Sequence, residues 1–183
     1  MVILHVGCGR KKSERFGLAD TDTLITLDAD PTLEPDIVCT LGRDRIDLPD
    51  DSVDGLVALH ILEHIGRQGE TDQWFYFWEE AYRVLKPDGE LHFESPLWNS
   101  VWSWADPQHC RALSPQSFLY FSQDSYRNAD SSITPYRIKC DFDVIGTFSA
   151  RPDRNANVAA QEEVSHFSGA LRAIKPLKPW WES

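Results

Sequence analysis

Short apolar runs separated by turn residues fill the first hundred positions. VILHV (2–6) runs into a glycine and TLITLD (23–28) ends on an aspartate. DIVCT (36–40), DGLVALH (54–60) and ELHFESP (90–96) follow. Such compact apolar runs fit strands buried on both faces. Pro87-Asp88-Gly89 marks a turn into the fifth run. Between the fourth and fifth runs the period changes. Phe75, Trp78, Ala81, Tyr82 and Leu85 recur at helical spacing and predict a helix near 70–86, with Thr71 and Asp72 to cap its start. Strand, connection, strand repeated in this way predicts an α/β fold on a parallel sheet.

The connections are short. Residues 29–35 alone separate the second and third runs, and they include Pro31 and Pro35. A parallel crossover usually takes roughly a dozen residues, so several connections must be loops or single turns. The expected sheet is therefore short of helices and thinly covered on one face, which offers a surface for a partner or for oligomerisation. Beyond Pro96 the pattern turns irregular. Residues 97–113, LWNSVWSWADPQHCRAL, read as an aromatic loop or lid, and Ser114-Pro115 opens like a capped helix. Residues 136–148 alternate like an antiparallel strand, 150–162 read as a polar loop, and VSHFSGALRAIKPL adds a last strand or helix.

Composition narrows the function classes. Hydrophobic residues make up 42% and charged residues 26% of 183, an ordinary globular profile for one domain. The formal net charge of −11 argues against nucleic acid as the main partner, because phosphate contacts call for a basic surface. Cys8, Cys39, Cys110 and Cys140 form no CxxC pair, so reduced thiols are expected, with no zinc site or disulfide framework. No apolar run is long enough to cross a bilayer, and MVILHVGCGR lacks the cationic lead of a signal peptide, so a cytoplasmic location is expected.

The glycine turn LHVGCGRKK admits several readings. A Walker loop needs a spacing that is absent after Gly7 and Gly9. A dinucleotide fingerprint would place its third glycine where Lys12 stands. A nucleoside ligand without a phosphate tail needs glycines for close backbone approach and a carboxylate at the next strand end for the ribose. Asp28, 21 residues after Gly7, suits that role. A plain tight turn fits the glycine spacing equally well.

The order of four stretches adds a resemblance. LHVGCGR, TLITLDADP, DLPDDSVDGLVALHILEHI and EEAYRVLKPDGELHFESP together resemble the class I S-adenosylmethionine-dependent methyltransferases, in their small methyltransferase-domain branch. The resemblance covers residues 2–96 and implies a Rossmann-like, mostly parallel sheet of about six to seven strands. Reduced helices and an antiparallel C-terminal edge complete that expectation. It implies one domain over 1–183, with a cofactor-binding half (1–96) and a substrate or lid half (97–183). S-adenosylmethionine is the implied cofactor. Gly7, Cys8 and Gly9 would line its methionine part, and Asp28 would hold the ribose. Ala29 and Asp30 would lie beside the adenine, with Leu59 and His60 near the sulfonium. The resemblance gives the Glu63-His64 pair a structural part. The family often has a carboxylate after the third strand, where this chain reads Cys39-Thr40-Leu41.

For the acceptor side, His109 in ADPQHCRAL is the candidate general base, and a structural loop histidine is the plainer reading of the same residue. Trp98, Trp102 and Trp104 would wall a pocket or simply pack. Arg10, Lys11 and Lys12 would hold an acidic substrate or form a solvated loop. The acceptor, whether small molecule, sugar or macromolecule, is not readable. Two other classes compete: a non-catalytic methyltransferase-like module that assembles with a partner, and a nucleotide-binding oxidoreductase.

Overall fold

A computed structural model describes residues 1–10, 19, 21–128, 133–146, 149–151 and 165–182. The strands are β1 (Val2–Val6), β2 (Thr23–Asp28), β3 (Ile37–Val38), β4 (Val53–Leu59), β5 (Leu85–Pro96), β6 (Phe142–Val144), β7 (Ser149–Arg151) and β8 (His166–Ala173). They form one sheet in the order β3-β2-β1-β4-β5-β8-β6, with β7 also on β8. The pairs from β3 to β5 are parallel. β8 runs antiparallel to β5, and β6 and β7 run antiparallel to β8. This is the α/β Rossmann-like sheet with an antiparallel C-terminal edge that the sequence predicts.

Leu4, Val6, Leu27, Leu56, Ala58, Leu91 and Phe93 give one face of the sheet a fully apolar surface. Helix α1 (Asp72–Val84) covers that face with Trp74, Phe77, Trp78 and Ala81, spaced for a single apolar side. Thr71 makes no side-chain cap bond. Glu70 caps instead, its Oε1 accepting from the Gln73 N–H at 2.9 Å. At the other end, the N–H groups of Asp51 and Ser52 donate to the carbonyls of Arg83 and Val84, which satisfies groups that a helix terminus leaves open.

A 3-10 helix over Pro115–Phe121 stands where the capped helix was expected, and Ser114 and Ser117 form its capping box. It drives Phe118 and Phe121 into the core. Phe121 stacks on Trp78 with ring centres 4.2 Å apart, and Phe118 stacks on Phe93 at 4.3 Å. Helices α2 (Trp102–Ala105) and α3 (Gln123–Asn128) flank this element.

Some boundaries differ from expectation. The link from β2 to β3 is a single 3-10 turn over Pro31–Leu33, capped by Asp30, and β3 keeps only two residues. The Pro87-Asp88-Gly89 turn is a bulge inside a longer β5, between the pairs Val53–Leu85 and Gly55–Glu90. The strand expected over 136–148 is reduced to β6. The Gln123 side-chain amide donates to the carbonyls of Ile138 and Cys140, taking acceptors that a ladder would need. Residues 150 and 151, expected in a loop, belong to β7; most of that loop lies outside the described residues. On the sheet face opposite α1, the β5–β8 portion is polar, with Glu90 joined to Arg172 at 3.1 Å and His92 exposed beside it. Among the described residues no helix is long and apolar enough to cross a membrane.

Candidate functional site

β1 lies between β2 and β4, so the chain leaves it in one direction and returns on the other side. In parallel sheets this reversal opens a crevice at the carboxyl ends of the strands. Three adjoining hollows occupy it. The first, about 160 Å³, lies among Gly7, Leu27, Asp28, Ala29, Thr40 and Ile61. The second, about 330 Å³, lies over Gly7, Cys8, Gly9, Arg10, Leu59 and His60. The third, about 520 Å³, is walled by His60, Glu63, His64, Trp102, Pro107 and His109. Gly7 is common to the first two, His60 to the second and third, and His64 to the first and third.

The glycine loop is built for close approach. Gly7 and Gly9 have φ of +61° and +56°, in the region glycine adopts freely. A Cβ on Gly7 would meet Ile61 Cγ1 at 2.4 Å, whereas a Cβ on Gly9 would have nothing within 4 Å. The Asp28 carboxylate fastens the loop. Its Oδ2 accepts from the Gly9 N–H at 2.9 Å and its Oδ1 from the Asp30 N–H at 3.0 Å. One lone-pair direction remains on each oxygen, available to a vicinal diol. Leu27, Leu41, Ile61 and Ile65 supply apolar walls to the first hollow. Burial pushes the Cys39 thiol up to about 11, so it is an apolar wall and not a thiolate.

Asp30, expected beside an adenine, is turned to local use. Its Oδ1 accepts from the N–H and hydroxyl of Thr32 at 2.9 and 2.7 Å, and those bonds hold its carboxyl below the usual range. Of the three candidate tryptophans, Trp102 lines the third hollow, while Trp98 and Trp104 are exposed. Arg10 borders the second hollow; Lys11 and Lys12 lie outside the described residues.

The third hollow gathers groups that sequence reasoning did not assemble. Glu63 is buried at the start of a 3-10 turn over Leu62–His64. Its Oε2 accepts from the Ser95 hydroxyl at 2.9 Å. Its Oε1 makes no hydrogen bond, with His60 Nδ1 at 3.6 Å and His109 Nε2 at 3.9 Å. Burial pushes the Glu63 carboxyl up, but His60 and the Ser95 hydroxyl outweigh it and leave it below its ordinary value. The His60 imidazole is raised, first by Glu63 and against the pull of burial, with Glu94 adding to the rise. His60 Nε2 lies 3.2 Å from Glu94 Oε1, and the residue holds φ at +53°, a strained position for a side chain with a Cβ. His109 Nδ1 donates to the Trp102 carbonyl at 2.8 Å, which points the lone pair of Nε2 towards Glu63. The signal available earlier was the spacing His60, Glu63, His64; His109 and His166 come from distant segments.

A doubly wound sheet with a glycine loop, an acidic second-strand end and an adjoining pocket defines a class I methyltransferase fold. Residues 4–93 match the family model "Methyltransferase domain". Among solved structures, the YcgJ protein of Bacillus subtilis is similar at 13% identity, over 97% of this chain and 92% of that one, with a TM-score of 0.62. A SAM-dependent methyltransferase of Archaeoglobus fulgidus shares 17% identity over 93% of this chain and 85% of that one, TM-score 0.57. The N-methyltransferase NodS of Bradyrhizobium japonicum, in complex with S-adenosyl-L-homocysteine, shares 12% over 94% and 77%, TM-score 0.59. No curated protein sequence matches the chain. The match over residues 4–93 and the fold are both those of the class I S-adenosylmethionine-dependent methyltransferases.

Proposed function

We propose that this chain moves the methyl group of S-adenosylmethionine to an acceptor seated in the 520 Å³ hollow. The observation that carries the reading is the adjacency of the three hollows, which share Gly7, His60 and His64 as walls. The cofactor, when bound, supplies a sulfonium-activated methyl group. The residues present fit it. Asp28 keeps acceptor capacity for ribose hydroxyls, Ala29, Leu41 and Ile65 would flank the adenine, and Gly7 to Gly9 would admit the amino-acid end. Leu59 and His60 would face the reacting end.

The protein's contribution to an in-line displacement is mostly position and a water-poor pocket. Trp102 and Pro107 form part of the wall on the acceptor side. His60 stands where cofactor and acceptor hollows meet, and its contact with Glu94 at 3.2 Å gives it a carboxylate to orient it. His60 and His109 both line this hollow, and either ring is placed to take a proton from the acceptor where one must leave. His109 has one ring nitrogen on the Trp102 carbonyl and the other turned to Glu63.

Calorimetric titration with S-adenosylhomocysteine tests this. Wild type binds one equivalent, and Asp28→Asn weakens binding by about tenfold or more, since the amide leaves a loop N–H or a ribose hydroxyl unpaired at a cost of about 1–3 kcal/mol. Absence of binding at millimolar ligand, or an unchanged affinity in the variant, removes the reading and leaves a methyltransferase-like module without catalysis.

A further inference from the structure

We propose that Glu63, His64 and His109 form a binding site for one divalent first-row transition-metal ion, open to the acceptor hollow. Dispersed cysteines offer no metal motif along the chain. The structure brings together two imidazoles and a carboxylate whose donor atoms all lie within 4.8 Å of one another. Three features set this cluster apart from a chance meeting of polar side chains. Glu63 Oε1 is buried and makes no hydrogen bond, with His60 Nδ1 at 3.6 Å and His109 Nε2 at 3.9 Å, an arrangement that is costly unless a cation or a closer donor completes it. His109 donates its Nδ1–H to the Trp102 carbonyl at 2.8 Å. That bond fixes the tautomer with Nε2 free, as the outer partners of metal-bound histidines do. The Glu63 Oε2 is held by Ser95 at 2.9 Å, so the carboxylate is oriented as well as buried.

The donor set selects the ion. Imidazole nitrogen suits zinc, cobalt, nickel, iron and copper, whereas calcium and magnesium want oxygen. Metal–ligand distances near 2.1 Å put neighbouring donors roughly 3.4 Å apart in a tetrahedron. The His109–Glu63 pair at 3.9 Å is close to that, and His64, with a donor within 4.8 Å of both, would have to turn inward on binding. His64 and His109 already meet edge to face with ring centres 4.7 Å apart.

Three protein ligands leave at least one coordination position, and it opens on the hollow where the acceptor is placed. An oxygen bound there, from a hydroxyl or a vicinal diol, would be oriented and its proton made more acidic. This part rests on the methyltransferase reading, and it narrows the acceptor to one with an oxygen donor at or beside the methylated atom.

The test uses the whole chain, stripped with chelator and then titrated with cobalt(II). The expected result is one equivalent bound, with the visible absorption bands of a low-coordinate cobalt–imidazole centre that change when acetohydroxamate, a bidentate oxygen ligand, is added. His64→Ala and His109→Ala each weaken cobalt binding about tenfold or more, while His92→Ala, on the exposed polar face, leaves it unchanged. Urea midpoints measured without metal show whether each variant folds; Glu63→Gln, which keeps the shape and the Ser95 contact, serves if a histidine variant does not. Binding without saturation, binding equal in all folded variants, or a spectrum of hydrated cobalt overturns the proposal. S-adenosylhomocysteine titration of the same chelated sample separates the two readings. Cofactor bound and cobalt refused removes the metal site alone. Cobalt bound and cofactor refused keeps the site and removes the transferase.

Discussion

The two glycines of the β1 loop differ in a way that separates backbone strain from steric exclusion. Both hold positive φ, +61° at Gly7 and +56° at Gly9, so alanine at either meets the same left-handed penalty of about 1–2 kcal/mol. Only at Gly7 does a Cβ collide, at 2.4 Å with Cγ1, 2.6 Å with Cδ1 and 2.8 Å with Cβ of Ile61. The far end of Ile61 can swing, but its Cβ is fixed to the backbone, so the loop and the 3-10 turn must separate. Overpacking of that kind costs about 1–3 kcal/mol more. Gly9→Ala should therefore lower the melting temperature by about 3–6 °C, and Gly7→Ala by about twice that, at roughly 3 °C per kcal/mol for a chain of this size. Ile61 also walls the first hollow, so the Gly7 variant should lose affinity for S-adenosylhomocysteine by about tenfold beyond the Gly9 variant. Thermal melts with and without ligand read both effects. Equal melting losses in the two variants would show that the collision is relieved without strain. Equal affinities would show that the Gly7–Ile61 contact does not shape the ligand site.

Trp78→Ala should cost about 3–5 kcal/mol, because the ring is fully buried and stacks on Phe121. The urea midpoint falls with little change in slope if the sheet survives. Glu80 accepts from the Ile46 N–H at 2.9 Å and twice from Arg83 at 2.8 Å. Burial pushes its carboxyl up, but Arg83 and the Ile46 N–H outweigh it and leave the folded value below the ordinary 4.5. A depressed folded value means that this stabilisation is present above about pH 4.5 and is lost as pH falls through the folded value. Glu80→Gln should be less stable near neutral pH by about 1–3 kcal/mol and show a shallower decline in acid; an unchanged acid limb in urea denaturation would rule out the linkage.

The parallel half of the fold was legible because each strand there is a dense apolar run with a turn residue at its end. The C-terminal half was not, because side chains outside any periodic pattern decide it. Gln123 reaches into 138–140 and breaks a strand that alternation alone would extend. Phe118 and Phe121 enter the core from a 3-10 helix whose sequence reads as an ordinary capped helix. The site divides in the same way. Gly7, Gly9 and Asp28 were readable from local spacing, since one β-unit joins them. The Glu63 cluster was not, because His109 arrives from a loop after β5 and His166 from β8, and only the folded sheet brings them near His60.

Stability alone does not account for what the junction of the hollows contains. His60 adopts a left-handed backbone at φ +53° without being glycine. Three residues further on, a buried carboxylate keeps one oxygen without a hydrogen bond. Each feature costs free energy. Among the described residues the other left-handed side-chain positions, Glu34, Asp51 and Asp88, lie on exposed turns. A sequence selected only for folding would relieve such costs with a glycine at position 60 and an apolar side chain at 63. Their concentration where the second and third hollows share a wall is what a site for chemistry requires, and under the proposed reading it puts the His60–Glu63 turn ahead of the glycine loop as the place to look for acceptor selection.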